Sequence, residues 1–330
     1  MALRRAALLS GSFAALLLSP AMAQGKRPFI NDKKAPDSRH DLDVIQQHVK
    51  DTLPAARRAT VCIDLGDGTG SGVVVSPEGL ILSAAHVTSG VGKEFTVIFE
   101  DGRKLKAESL GLVASTDCAM ARIIEPGTYP FIELDRDDTA KLGDWVYALG
   151  HSGGFDKERG IVVRIGRLVQ MKDSTVQSDC SLIGGDSGGP LFDLNGHLIA
   201  IHSRVGSRTP ENMHVPVREF LKNWDGLTKA EFIGEGPFAK KPEKGKGFLG
   251  LGTKDRPGGG LDIEKVGRES PAEKAGMKAG DILLKMDGTE LKSKEQLQDL
   301  LKEKAPDDRV ALELLRNGKP ETLTLRLGER

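Results

Sequence analysis

The sequence predicts a mainly β protein in two parts: a large all-β domain of barrel or sandwich type, then a small α+β domain. Three observations lead there. Short alternating or apolar runs recur from residue 60, separated by turn residues. The chain has 40 glycines and only 5% aromatics, which suits many tight turns and short strands better than a helical bundle. A Gly-, Pro- and Lys-rich stretch near residue 240 then separates this pattern from one that alternates strands with two short helices. A length of 330 residues suits about two domains.

The N-terminus is read separately. Arg4 and Arg5 precede an apolar stretch from 6 to 18, and Ala21-Met22-Ala23 offers a small-x-small cleavage pattern. This predicts a signal peptide over 1–23 and hence export. An uncleaved anchor is the weaker alternative, because Ser10, Gly11 and Ser12 interrupt a run already short for a membrane span. Residues 24–58 read as a leader with one short helix, whose apolar face carries Leu42, Ile45, Val49 and Leu53.

Strands are expected at 61–63, 71–75, 80–82, 95–99, 119–124, 145–149, 161–169, 190–193 and 197–202, with Asn195-Gly196 as a hairpin turn. The first domain spans 59–222 and a linker 223–246. The second domain, 247–328, begins with a strand at Phe248. Ser270 caps a short helix with Pro271 at its first position, Asp287-Gly288 turns a strand, Ser293 and Gln296 cap a second helix, and Asn317-Gly318 joins a last hairpin.

Composition narrows the function. Basic and acidic residues number 47 each, so no basic excess points to nucleic acid. Cys62, Cys118 and Cys180 are too few for a disulfide scaffold and are expected as buried thiols with at most one bridge. No ligand cluster implies a metal or other cofactor.

The strongest chemical signal is Gly184-Gly185-Asp186-Ser187-Gly188-Gly189-Pro190. A serine hydroxyl needs a base to become a nucleophile, and the oxyanion it generates needs converging donors. Glycines on both sides let the backbone turn tightly, so that amide N–H groups point at one place; resemblance to the double-barrel proteases implies that these are the amides of Gly185 and Ser187. An idle serine in a glycine-rich turn is the bland alternative, which seven such residues between two strand patterns disfavour. For the base, His86 ends Leu82-Ser83-Ala84-Ala85-His86, where a strand gives way to small residues. His40 and His48 belong with the leader, His197, His202 and His214 with strands, and His151 with a glycine-rich loop. Asp117, at the mouth of the strand 118–123, is the candidate to orient the imidazole, with Asp144 second. Asp135, Asp137 and Asp138 read as surface charges. The order His86, Asp117, Ser187 is that of the chymotrypsin-like enzymes.

With these residues in place the sequence resembles the HtrA (Deg) family of chymotrypsin-like serine proteases, over 70–75, 77–87, 115–124, 148–154, 179–203 and a C-terminal PDZ-like region. The resemblance implies a chymotrypsin-like double β-barrel followed by a PDZ domain. It implies a serine endopeptidase acting through an acyl-enzyme on unfolded or damaged exported proteins, in the periplasm or envelope of a bacterium or otherwise secreted. It implies a homo-oligomer, trimeric or larger, and no cofactor. By resemblance Leu182, Ile201, His202 and Ser203 wall the primary pocket. With Ser181 where trypsin carries an acid, cleavage should follow small or medium aliphatic residues. Phe248, Leu249, Gly250 and Leu251 correspond to a loop that captures a peptide's free C-terminus. Two alternatives are a protease silent until a peptide binds the PDZ domain, and a non-catalytic chaperone or scaffold. The chain departs from the pattern at Asp186 and His151, where the family often has asparagine. In trypsin-type zymogens the aspartate before the serine pairs with a newly cut N-terminus; no activation sequence precedes Thr60, so Asp186 needs another partner or stays solvated.

Overall fold

The computed structural model describes residues 26–206 and 211–329; the expected signal peptide lies outside them. After a 3-10 turn (Phe29–Asp32), α1 (Arg39–Ala59) starts at Ser38, whose hydroxyl accepts the Asp41 N–H at 3.2 Å. The helix is longer than expected and its buried face differs: Asp41, Ile45, Val49, Thr52, Ala56 and Ala59 point inward, while Leu42 is 57% exposed.

Six antiparallel strands form the first barrel: β1 (Thr60–Asp64), β2 (Thr69–Val74), β3 (Leu80–Ala84), β4 (Glu94–Ile98), β5 (Lys104–Val113) and β6 (Cys118–Ile123). Their order β5-β4-β1-β2-β3-β6 closes through β5–β6 pairing. A single helical turn, α2 (Ala85–Thr88), follows β3. The second barrel contains β7 (Trp145–Gly150), β8 (Val162–Lys172), β9 (Thr175–Ser178), β10 (Pro190–Asp193), β11 (Leu198–Val205) and β12 (Asn212–Pro216), closed in the order β10-β11-β12-β9-β8-β7.

Each barrel has its own apolar filling, including Ile63, Val97 and Phe99 in the first and Val146, Leu168 and Leu191 in the second. A third cluster joins them. It unites Ile45, Val49 and Ala56 of α1 with Leu82 and Met120 of one barrel and Tyr147, Leu149 and Phe192 of the other. Tyr147 stacks on Phe192 at 5.1 Å between centroids and donates its hydroxyl to Thr52 Oγ at 2.9 Å. Burying each such aromatic contributes about 1.5–3 kcal/mol. The leader helix is therefore part of the core that holds the barrels edge to edge, and the catalytic candidates lie along that edge.

The start of the expected linker is packed down. After α3 (Val217–Lys222) and α4 (Trp224–Thr228), β13 (Phe232–Ile233) runs parallel to β5, and Phe238 and Ala239 cover Ala85, Leu112 and Ala119. Gly111 permits this: a Cβ there would lie 2.6 Å from Leu227 Cα.

The C-terminal region pairs β14 (Gly247–Phe248) with β21 (Gly328–Glu329). Its main sheet has the order β15-β16-β17-β19-β20, from β15 (Leu251–Asp255), β16 (Leu261–Val266), β17 (Ile282–Met286), β19 (Arg309–Arg316) and β20 (Lys319–Arg326), with β18 (Thr289–Glu290) beside β17. α5 (Pro271–Lys274) and α6 (Lys294–Lys302) complete it. Ser270 and Ser293 cap both helices as expected, but the Gln296 side chain reaches the Lys292 N–H instead of the cap residue. Positive φ at Asp287, Gly288, Asn317 and Gly318 matches the two expected turns. Two ion pairs join this region to the first barrel, Arg326–Glu108 at 2.7 Å and Lys93–Asp307 at 2.8 Å. No helix among the described residues is long and apolar enough to cross a membrane.

Candidate active site

β3 ends in the extended residue Ala84, and the chain then makes one helical turn that lifts His86 to the rim of the first barrel. Its side chain is 37% exposed. Asp117 enters from the loop before β6 and is wholly buried, with φ +66, a left-handed conformation that aspartate tolerates better than most residues. The His86 Nδ1–H faces both carboxylate oxygens at 3.0 Å, and the His86 backbone N–H donates to Oδ1 at 3.1 Å. Ser203 of β11 donates its hydroxyl to Oδ2 at 2.5 Å. With Nδ1 carrying its proton toward Asp117, Nε2 is left as the basic nitrogen facing outward.

Ser187 lies between the barrels. Its Oγ is directed to the Ser203 carbonyl at 3.5 Å, and among the described residues no hydrogen bond joins it to His86. The loop before it is held tightly. Gly153 N–H donates to the Gly184 carbonyl at 2.7 Å, and the Ser71 hydroxyl to the Gly185 carbonyl at 2.8 Å. Gly185 has φ +92, and a Cβ there would lie 2.5 Å from the His151 carbonyl, so only glycine fits. The N–H groups of Gly185 and Ser187 have no acceptor among the described residues. Asp186 is buried with partners of its own: Ser152, Arg164 and the Ile183 N–H.

Beneath the serine, His202 and His214 are buried completely. His202 Nε2 faces the Leu149 carbonyl at 3.1 Å, so it carries the proton and Nδ1 accepts. His214 Nδ1 must then donate across 2.9 Å to His202, and its Nε2 accepts the Ser178 hydroxyl at 2.8 Å. The chain is satisfied only when both rings are neutral. Burial pushes His202 down to about 3 and His214 well below its ordinary range. His151 is buried too, and among the described residues neither of its ring nitrogens has a partner. Burial, with Arg159 nearby, pushes it down to about 4.

Of the expected pocket residues, Leu182 is nearly buried with its N–H on Asn212 Oδ1, Ile201 packs into the cluster that joins the barrels, and His202 is fully buried. Ser203 reaches Asp117 instead of an open pocket. Asp144 pairs with Arg27 of the leader. All three cysteines are free and buried; burial pushes Cys62 and Cys180 up to about 11 and Cys118 higher still. Among the described residues no group of three or more His, Cys, Asp or Glu side chains could hold a metal ion. In the C-terminal region Phe248 ends β14, Leu249 and Gly250 (φ +83) form the turn into β15, and Leu251 begins the edge strand beside α6. Carbonyls of Leu249 and Gly250 accept N–H groups of Ala272 and Gly267, while the amides of these two have no acceptor among the described residues.

Sequence reasoning missed Ser71, Ser152 and Arg164. Ser71 and Ser152 stand in small-residue runs, Gly70-Ser71-Gly72 and Ser152-Gly153-Gly154, which signal close backbone approach. Arg164 sits mid-strand with no local signal at all.

Residues 70–201 match the trypsin-like peptidase domain family and 247–327 the PDZ domain family. Relatives include probable periplasmic serine endoproteases, DegP-like, from Halomonas elongata (32% identical over 274 residues, 79% of this chain and 56% of that protein) and from a Marinomonas species (32% over 275 residues, 79% and 57%). The chain thus spans about half the length of the curated relatives it matches. Similar solved structures are the serine endoprotease from Yersinia pestis (25% identity, 90% of this chain and 99% of that one, TM-score 0.48) and the HtrA-type protease AlgW with a decapeptide (22% identity, 87% and 98%, TM-score 0.48). Two barrels closing around a histidine, an aspartate and a serine, followed by a PDZ domain, agree with the two domain families and the DegP-like relatives: the chain belongs to the HtrA/Deg family.

Proposed function

We propose that this chain is an exported serine endopeptidase that cleaves unfolded polypeptides, with Ser187 as nucleophile, His86 as general base and acid, and Asp117 as the group that orients it. The observation that carries this is the pairing of a buried carboxylate with an exposed imidazole beside a serine loop whose Gly185 and Ser187 amides have no acceptor among the described residues. In this mechanism the Ser187 side chain rotates so that Oγ leaves the Ser203 carbonyl for His86 Nε2; such hydrogen bonds often tighten only once substrate is bound. Oγ then attacks the peptide carbonyl as its proton passes to Nε2. The oxyanion is held by the Gly185 and Ser187 N–H groups. His86 returns the proton to the leaving amine, the C–N bond breaks and an acyl-enzyme remains. Water attacks it, giving a proton to Nε2 that returns to Ser187 as the acid leaves. Asp117 stays a carboxylate throughout.

In this reading residues 59–222 form the protease domain and 247–328 the PDZ domain, with Phe248–Leu251 amides taking the carboxylate of a peptide that adds beside β15. The relatives' names favour the periplasm, and assembly as a homo-oligomer is part of the same reading. A peptide-regulated form of the activity is favoured by one contact: Lys93, seven residues after His86, is ion-paired to Asp307 of the PDZ domain. The test is proteolysis of unfolded casein by the mature protein and by Ser187→Ala. Cleavage by the first alone is the expected result. Equal rates would place the activity elsewhere, and a rise on adding peptides with a free C-terminus, but not amidated ones, would select the regulated form.

A further inference from the structure

The serine loop contains a second buried carboxylate that the proposed chemistry does not use. Asp186 is wholly inaccessible to solvent. A charge taken out of water needs a counter-charge and full hydrogen bonding. Oδ2 lies 3.0 Å from Arg164 Nη2 and accepts the Ile183 N–H at 2.8 Å, and Oδ1 accepts the Ser152 hydroxyl at 2.7 Å. Arg164 Nη2 also donates to Ser152 Oγ at 2.8 Å. Guanidinium, carboxylate and hydroxyl therefore close a ring of contacts behind the loop. β7 seals its far side: a Cβ on Gly150 would lie 2.4 Å from Asp186 Oδ1.

We infer that Arg164 is a positioning residue for the oxyanion loop: through Asp186 it holds the Gly184–Gly185 peptide so that the Gly185 N–H faces the substrate carbonyl. The inference rests on the function proposed above. In a trans peptide the C=O and N–H point to opposite sides. The Gly184 carbonyl faces Gly153 N–H, so the Gly185 N–H faces away from the 150s loop. Both polar groups of Ile183 at the start of the turn hang on Asp186: its N–H on the carboxylate and its carbonyl on the Asp186 N–H at 3.1 Å. Without the cation, the carboxylate is an unpaired charge in a sealed site, and its escape to water drags 183–186 with it. Glycines at 184 and 185 offer little resistance to such a peptide flip. Arg164 stands on β8 opposite Ala148, so the barrel wall carries the cation. The loop accordingly takes this shape without any cut in the chain.

The test uses the mature full chain with Arg164→Met, Arg164→Lys and the double variant Arg164→Met/Asp186→Asn. Readouts are casein and peptide cleavage, hydrogen exchange over 150–156 and 183–189, and Tm. Arg164→Met should lose exchange protection in both segments and about 100-fold or more in kcat, the scale of losing one oxyanion donor, with KM little changed. Arg164→Lys keeps a cation and should stay within about tenfold of the parent, since lysine lacks the fork but not the charge. The double variant has no buried charge to expel and should recover at least about tenfold over Arg164→Met. Protection and kcat unchanged in Arg164→Met, or a double variant no better than the single, would overturn the inference. Should Arg164→Met fail to fold, the lysine and double variants decide it. Exchange in the two segments decides the inference even in a chain that does not cleave, whereas cleavage insensitive to Ser187→Ala removes only the proposed function.

Discussion

Two buried carboxylates flank the serine, and their partners differ in kind. Asp117, in front, meets an imidazole, a hydroxyl and a backbone N–H. Asp186, behind, meets a guanidinium, a hydroxyl and a backbone N–H. In the proposed mechanism the first faces a group that gains and loses a proton in each turnover; the second faces one that never gives its proton up. A carboxylate beside imidazole can stabilise a charge that comes and goes. A carboxylate beside guanidinium can only hold a shape. The same contrast separates the histidines: His86 is exposed with a carboxylate behind it, whereas His202 and His214 are sealed with only neutral partners.

The front pair should be the more costly to disturb. Asp117→Asn leaves the shape but allows the wrong tautomer of His86, and should lower kcat about 10,000-fold; a loss under tenfold by steady-state kinetics would detach Asp117 from the chemistry. Ser203→Ala removes a hydrogen bond to a charged group, worth about 1.5–3 kcal/mol. It should reduce kcat/KM roughly tenfold or more and lower Tm by several degrees.

The fold class was legible in the sequence, and so was the meeting of His86 with Asp117, because their signals are local. Strand alternation, glycine turns and the run around Ser187 each act within a few residues. What was missed depends on tertiary contact. β5 carries Ala107 and Gly111 and shifts register between Ser109 and Leu112, which blurs its alternation. β9 and β12 are short and mixed in polarity. The apolar residues Phe232, Ile233 and Phe238 were hidden in a stretch that reads as a linker, yet they dock on the first barrel. Leu42 lies on the exposed helix face although its spacing suits the apolar one, since Asp41 and Thr52 are buried through polar partners that hydrophobic periodicity cannot see. Ser203 is named by resemblance as a pocket wall, but only the register of β11 brings its hydroxyl to Asp117.

The sealed histidines predict how stability responds to acid. His151, His202 and His214 are neutral in the folded state, with pKa values pushed below the ordinary 6.5. Unfolded, they take up protons below about pH 6.5. Their contribution is therefore complete above that pH and is lost as pH falls toward about 4 for His151 and about 3 for His202. His197, raised by its Asp193 partner, works in the opposite sense. Urea unfolding at pH 7, 6 and 5 should show stability falling with pH, and His214→Phe should flatten that slope by about one proton. An unchanged slope would mean the pair is not neutral. The smallest effect belongs to His151. Its two unpartnered nitrogens contribute nothing polar, so His151→Phe should leave Tm equal or raise it by a few degrees, on the scale of about 1 kcal/mol.

The most direct test of the central claim is covalent. A fluorophosphonate probe reacts with a serine that has both a base and an open oxyanion site. Labelling of the mature protein, with the adduct located by mass spectrometry, should occur at Ser187 alone and fade by at least about 1,000-fold in Asp117→Asn. Labelling at another serine, or at an equal rate in the variant, would contradict the assignment of Ser187, His86 and Asp117 as one catalytic unit.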